Sequence, residues 1–311
     1  VPALAVGIVG AGRTRNGLGP FLAAFAERAG ARVTGVAGRD AAGAERNAAA
    51  LAVQLGHPVA AFADAAALAR SGVQALVVAT PPAEHLPGLR AALAAGIACL
   101  CEKPLVAVEQ LPAGAAALAA FAARRLLLLE NCQWPHVLPA LRQLFPLPPL
   151  PVRAVAMGLS PTPYGRAGIE DSLPHLLSVV QALVPAPEQL QLADVQLVER
   201  SGDGSRQRLA LSFRAGGQPV AVTLHLQQTA HQPRPAWLEV DGCRMDRRIG
   251  PDYALAFAAG DRVVQVGDPL GLLVYDFVNL ARSKDLDAHR RLTAVIACRL
   301  RLYGEILARC P

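Results

Sequence analysis

The sequence predicts an α/β protein in two parts: a doubly wound parallel sheet, then an α+β domain built on a largely antiparallel sheet. Three observations carry this. Short apolar runs alternate with helical segments through the first 130 residues, the βαβ rhythm of a parallel sheet. A proline-dense stretch, Phe145-Pro146-Leu147-Pro148-Pro149-Leu150-Pro151, then interrupts regular structure. Beyond it, apolar residues alternate with period two, most clearly in PVAVTLHL at 219–226.

The elements follow in order. LAVGIVG at 4–10 is a short apolar strand ending in glycine. A Gly/Arg-rich turn leads to a helix from about Pro20 to Ala29, where proline suits a first helical turn because its missing N–H costs nothing. ARVTGVAG at 31–38 is the second strand, and the Ala-rich 41–55 a helix. Residues 62–70 read as a short helix, with Ser71-Gly72 as the turn after it. VQALVVA at 73–79 is a buried parallel strand. Helix 83–95 stops at Gly96, IACLCEKP at 97–104 is a strand running into a proline turn, 109–123 is helical, and LLLL at 126–129 is the last strand of this part. In the second part, 152–159, 190–199, 207–213, 219–228 and 236–241 read as strands. Residues 171–182 form its only early helix, and the close from about Leu270 to Arg309 is mostly helical. The expected division is 1–130 and 131–311, with the terminal helix packing back on the first domain.

Composition narrows the function. At roughly 150 residues per domain, 311 residues make about two domains. A chain 53% hydrophobic and 17% charged has ample core, which excludes disorder, coiled coils and fibres. The net charge of +6 suits an anionic ligand. There is no long basic block, and aromatic residues are only 5%, so no base-stacking platform for nucleic acid is expected. No apolar run has the 18–20 residues of a membrane helix, a reading that goes with the absence of a basic leader before the first strand. The six cysteines never form CxxC, and Cys99 and Cys101 fall on opposite faces of a strand. Buried free thiols in a reducing cytoplasm are expected, and no metal site.

The chemistry begins at the first turn, Gly7-Ile8-Val9-Gly10-Ala11-Gly12-Arg13-Thr14-Arg15-Asn16-Gly17-Leu18-Gly19-Pro20. Glycines let a pyrophosphate approach the backbone, and the helix start behind them favours the anion. Gly10 and Gly12 fit the opening of a dinucleotide fingerprint. Arg15 stands where the third glycine is expected, so Gly17 or Gly19 serves after a lengthened turn. Arg13, Arg15 and Asn16 complete the expected cofactor contacts of this turn, the arginines reaching phosphate. At the end of the second strand, Gly38 leaves space and Arg39 can neutralise a 2′-phosphate, with Arg46 near, which favours NADP over NAD. Asp40 is the competing residue: a carboxylate there would bind the ribose 2′-hydroxyl of NAD.

Thr80-Pro81-Pro82 follows the strand at 73–79, on the edge that faces a cofactor. Thr80 can hydrogen-bond there. His85 either touches the cofactor or caps local backbone. Cys101-Glu102-Lys103-Pro104 ends another parallel strand. A lysine ammonium there can donate to a substrate oxygen and stabilise alkoxide character during hydride transfer. In the second part, Asp171 and His175 are four apart and share a helical face. That pairing suits proton exchange with a substrate hydroxyl by the imidazole, with the carboxylate orienting it.

Taken together, the glycine turn, VVATPPAEH at 77–85, CEKPL at 101–105 and EDSLPHLL at 170–177 resemble the Gfo/Idh/MocA oxidoreductases. The resemblance covers nearly the whole chain. It implies an N-terminal Rossmann domain and a C-terminal α/β domain whose open sheet often mediates oligomerisation, here a homodimer or homotetramer. It implies NAD(P)-dependent oxidation or reduction, commonly of sugars or cyclitols, with an imine or other C=X reductase as the alternative on the same fold, or a non-catalytic dinucleotide sensor. Lys103 matches the catalytic lysine, His175 the acid/base histidine and Asp171 its aspartate. Thr80 and Pro81 match the cofactor-side turn, and Glu102 the acidic residue beside the lysine. Two departures stand out: Ser178 occupies a place where many sugar-oxidising members carry aspartate, and the segment Asn131–His136 lacks the usual arginine.

Overall fold

In the computed structural model, residues 2–12, 17–146, 151–250, 253–283 and 285–310 are described. They divide into two compact units, Val1–Asn131 with Leu270–Ala297, and Cys132–Pro269 with Cys298–Pro311.

The first unit is built on a six-stranded parallel sheet. Its strands are β1 (Ala5–Val9), β2 (Arg32–Ala37), β3 (Ala60–Phe62), β4 (Ala75–Val78), β5 (Ala98–Cys101) and β6 (Leu128–Glu130), in the order β3-β2-β1-β4-β5-β6. This is the doubly wound arrangement that the alternating runs predict. The order reverses between β1 and β4, which places the carboxyl ends of β1, β2, β4 and β5 along one edge, where open α/β sheets bind ligands. The helices between strands are α1 (Gly19–Arg28), α2 (Ala41–Leu55), α3 (Ala65–Arg70), α4 (His85–Ala95) and α5 (Leu111–Ala123).

Strand β3 is a correction to the sequence reading, which starts a helix at residue 62. Its three residues are largely exposed and carry no period-two pattern, so only the ladder with β2 makes them a strand. The core of this unit is aliphatic: Val6, Ile8, Val33, Val36, Val77 and Leu100 are all but inaccessible. Leu270, Val274, Phe277 and Val278 join the same core. They lie on α8 (Pro269–Ser283), so the chain returns to its first unit some 140 residues after leaving it. Burying each such side chain contributes about 1.5–3 kcal/mol.

The second unit contains an eight-stranded open sheet. Its strands are β7 (Ala154–Leu159), β8 (Gln191–Arg200), β9 (Arg206–Ala215), β10 (Gln218–Gln227), β11 (Trp237–Val240), β12 (Cys243–Ile249), β13 (Leu255–Ala259) and β14 (Arg262–Val266), ordered β14-β13-β12-β11-β7-β10-β9-β8. All neighbours are antiparallel except β7 with β10. Tight turns set the hairpins. Gly216-Gly217 joins β9 to β10 with φ of 55° and 83°, and Asp241-Gly242 joins β11 to β12 with φ of 47° and 80°. Two consecutive positive φ values match the right-handed twist of the flanking strands, which selects glycine and aspartate there.

Strands β12 to β14 are absent from the sequence reading. CRMDRRI shows charge where apolar alternation is sought, although its Asp-Gly turn is a hairpin signal. A second correction concerns helices: α6 (Leu138–Leu144) precedes α7 (Gly165–Leu183), so the helix of this half that the sequence locates is not its first. Prolines at 135 and 139 mask α6 in the sequence, yet both sit at the starts of helical turns, where proline is tolerated. The last helix, α9 (Leu286–Arg309), supplies residues through Ala297 to the first unit and those from Cys298 to the second.

All six cysteines are free, and five are buried. Burial pushes the Cys99 and Cys101 thiols up, which makes them inert. Among the described residues, no helix is long and apolar enough to cross a membrane, and no three His, Cys, Asp or Glu side chains cluster as metal ligands.

Candidate active site

The edge formed by the carboxyl ends of the parallel strands gathers most of the residues singled out in the first half of the sequence. Gly10 follows β1 with φ +90°, and its N–H donates to Ala37 O at 3.0 Å. A Cβ there would stand 2.8 Å from Thr80 Cγ2. Among the described residues, a Cβ on Gly12 would meet only Asn47, at 3.8 Å. Arg13, Arg15 and Asn16 lie outside the described residues. Gly17 is half-buried. Gly19 is the glycine that the fold demands: a Cβ there would collide with the Gly10 carbonyl and reach 2.7 Å from Ala11 Cα. The third glycine of the fingerprint is thus displaced along a longer turn, and it lets α1 pack directly on the β1 turn.

At the end of β2, a Cβ on Gly38 would stand 2.9 Å from Ala44 N. Its absence therefore lets α2 approach the strand. Arg39 is exposed. Asp40 is the N-cap of α2: its carboxylate accepts the Gly43 N–H at 2.6 Å. Capping satisfies one of the orphan donors of the helix start, and it commits this carboxylate locally.

Thr80 follows β4, and its Oγ1 is buried with no hydrogen-bond partner among the described residues. Pro81 is exposed beside it. His85, the first residue of α4, is wholly buried. Its Nε2 lies 2.7 Å from Thr80 O, and its Nδ1 lies 3.0 Å from Pro104 O and 3.2 Å from Leu105 O. This is the geometry of a backbone brace. Burial lowers its pKa, against the raising influence of those carbonyls and of Glu130.

Beyond β5, Glu102 and Lys103 are half-buried and Lys103–Pro104 is a cis peptide. The Glu102 N–H donates to Val78 O at 2.8 Å, which extends the ladder by one residue. Two residues that the sequence did not single out complete this edge. Glu130, buried at the end of β6, accepts the Leu105 N–H at 2.9 Å. Asn131 donates its side-chain amide to Glu102 Oε1, while its own Oδ1 is buried without a hydrogen-bond partner among the described residues. Only strand register could have announced them: Glu130 pairs with Cys101, so both stand level with the Lys103 turn.

A search of the family models finds one match, over residues 4–130, to the Gfo/Idh/MocA model described as an oxidoreductase family with an NAD-binding Rossmann fold. No curated protein sequence matches the chain significantly. Solved structures resemble it over its whole length. UDP-N-acetylglucosamine 3-dehydrogenase GnnA from Acidithiobacillus ferrooxidans is 21% identical, with 99% of this chain and 100% of that chain covered and a TM-score of 0.64. KijD10, a 3-ketoreductase from Actinomadura kijaniata solved with NADP and TDP-benzene, is 18% identical over 98% and 97%, with a TM-score of 0.67. An oxidoreductase from Agrobacterium radiobacter solved with NAD+, L-tartaric acid and magnesium is 13% identical over 100% and 98%, with a TM-score of 0.66. At these identities the likeness establishes the fold.

The Gfo/Idh/MocA-type domain carries Lys103, whereas Asp171 and His175 belong to the second unit. There both lie on α7, half-buried and one turn apart. Ser178, buried on the same helix, donates its hydroxyl to His175 O at 2.7 Å. Its side chain therefore serves the helix backbone, which an aspartate at this position would not do. Arg166 is held by Glu170 at 3.1 Å and by Cys310 O at 2.9 Å. His225 rests against Trp237 with centroids 5.1 Å apart, and burial with Arg208 and Arg244 nearby lowers its pKa.

Proposed function

We propose that the protein is an NAD(P)-dependent oxidoreductase acting on a small hydroxyl or carbonyl compound of sugar-like or cyclitol-like chemistry, with NADP as the preferred cofactor. The observation that carries the reading is the edge of the parallel sheet in the Gfo/Idh/MocA-type domain. It combines a glycine turn in which Gly10 and Gly19 have no room for a Cβ with two orphaned buried oxygens, on Thr80 and Asn131. A buried polar atom without a partner costs about 1–3 kcal/mol, so such atoms mark a place for a polar ligand. A dinucleotide fits that description. Gly10, Gly12 and the start of α1 would hold the pyrophosphate, and Thr80 the part of the cofactor above β4.

The preference for NADP rests on Arg39 and Asp40. The Asp40 carboxylate accepts the Gly43 N–H through Oδ1, which ties the natural acceptor for a ribose 2′-hydroxyl to the start of its own helix. Arg39 beside it is exposed and suits a 2′-phosphate.

Bound nicotinamide supplies the hydride donor or acceptor. Lys103 donates from its ammonium to the substrate oxygen and stabilises the negative charge that builds there. His175 takes the hydroxyl proton in oxidation and returns it in reduction, with Asp171 one helical turn away to orient it. The test is a fluorescence titration of cofactor-free protein with NADPH and then NADH, followed by a two-way screen of hydroxy and keto sugars, free and nucleotide-linked. Binding with turnover supports the enzyme. Turnover on imines alone moves the reading to a C=X reductase. Binding without turnover on any compound moves it to a dinucleotide sensor.

A further inference from the structure

We infer that His85 is a positioning residue for Lys103, latching the Thr80 turn to the Lys103-Pro104-Leu105 turn, with Glu130 gripping the latter from its other side. The inference rests on the role given to Lys103 above. After Glu102 the chain leaves the parallel ladder and turns. Side chains hold the residues of that turn. His85 Nδ1 faces the carbonyls of Pro104 and Leu105, and Glu130 Oε1 takes the Leu105 N–H. His85 itself is fully buried on a closely packed helix. It begins α4, and α4 lies so close to β4 that a Cβ on Gly88 would stand 2.6 Å from Val78 Cγ2.

The ring is suited to this by having two ends. Its nitrogens meet carbonyl oxygens on opposite sides, Thr80 O at 2.7 Å and Pro104 O at 3.0 Å. Carbonyls only accept and a neutral imidazole carries one N–H, so the ring donates to one turn at a time, through whichever nitrogen holds the proton, and packs against the other. A glutamine offers its donors from one end and serves one turn. A leucine serves neither. A histidine that merely filled the core would not need to face acceptors at both nitrogens.

The composition makes the test direct. The chain has 28 arginines and only two lysines, Lys103 and Lys284, so amine-selective labelling reports on Lys103 with Lys284 as internal reference. The probe is trace acetic anhydride, with the Lys103:Lys284 ratio read by mass spectrometry. Loss of the latch lets the turn open locally, and the ratio is expected to rise about threefold or more in His85→Leu, with His85→Gln between it and the wild type. Glu130→Leu should raise it independently. Circular dichroism confirms that each variant is folded. If His85→Leu fails to fold, His85→Gln and Glu130→Leu decide. Folded variants that keep the wild-type ratio overturn the inference. Failure of the wild type to bind NADPH would instead sink the proposed function and leave the labelling result standing.

Discussion

Asp40 Oδ1 accepts the Gly43 N–H at 2.6 Å, so the first carboxylate after β2 caps its own helix. Arg39, its neighbour, is left to meet whatever the adenine ribose carries. Arg39→Leu should weaken NADPH binding by about 10–100-fold, the scale of one lost charge-assisted hydrogen bond, and leave NADH binding nearly unchanged. Titrations of both cofactors check it. Asp40→Ala should lower stability by about 1 kcal/mol through the lost cap, without reversing the NADPH preference.

Lys103→Met removes the ammonium while keeping most of the side-chain volume. Turnover on the substrate found by the screen should fall by about 10²–10³-fold, and the NADPH dissociation constant should stay within a few-fold. Equal turnover in the variant would take Lys103 out of the chemistry.

Gly19→Ala places a methyl group against the Gly10 carbonyl and Ala11 Cα. Both neighbours are backbone, so one must shift. A loss of about 1–3 kcal/mol in denaturant unfolding is expected, together with weakened NADPH binding because the turn moves. Gly56→Ala is the comparison. A Cβ at Gly56 meets none of the described residues within 4 Å, but φ there is +74°, so it should cost only the backbone strain of about 1 kcal/mol and leave cofactor binding intact.

Burial holds the His85 pKa below its ordinary 6.5. Between the folded and unfolded values the unfolded chain binds more protons, so this residue contributes stability above about pH 6.5 that is lost as pH falls towards the folded pKa. His85→Gln should flatten the fall in stability as pH drops below about 6.5 relative to wild type, as read by urea unfolding at each pH. An unchanged slope would mean that His85 titrates equally in both states.

The parallel half was legible because its signals are local and repeated. Apolar runs such as ALVV in β4 are buried on both faces and keep that character whatever surrounds them. β3, with its exposed AAF, and β12, with its charged CRMDRRI, are strands only because a neighbour offers a ladder. The catalytic candidates Lys103, Asp171 and His175 could be read from motif and spacing. Glu130 and Asn131 could not, because their relevance comes from lying level with the Lys103 turn across β5 and β6.

By itself the sequence determined the order of strands and helices in the first half, β3 excepted, and the residue types at the sheet edge. These depend on period, on backbone freedom and on neighbours a few positions away. Tertiary structure decided which glycine packs α1 against the first turn, that Asp40 caps a helix, and that His85 lies between two turns 19 and 20 residues distant from it on one side and five on the other. Those outcomes depend on distances between segments remote in the chain, which packing sets and local composition does not record.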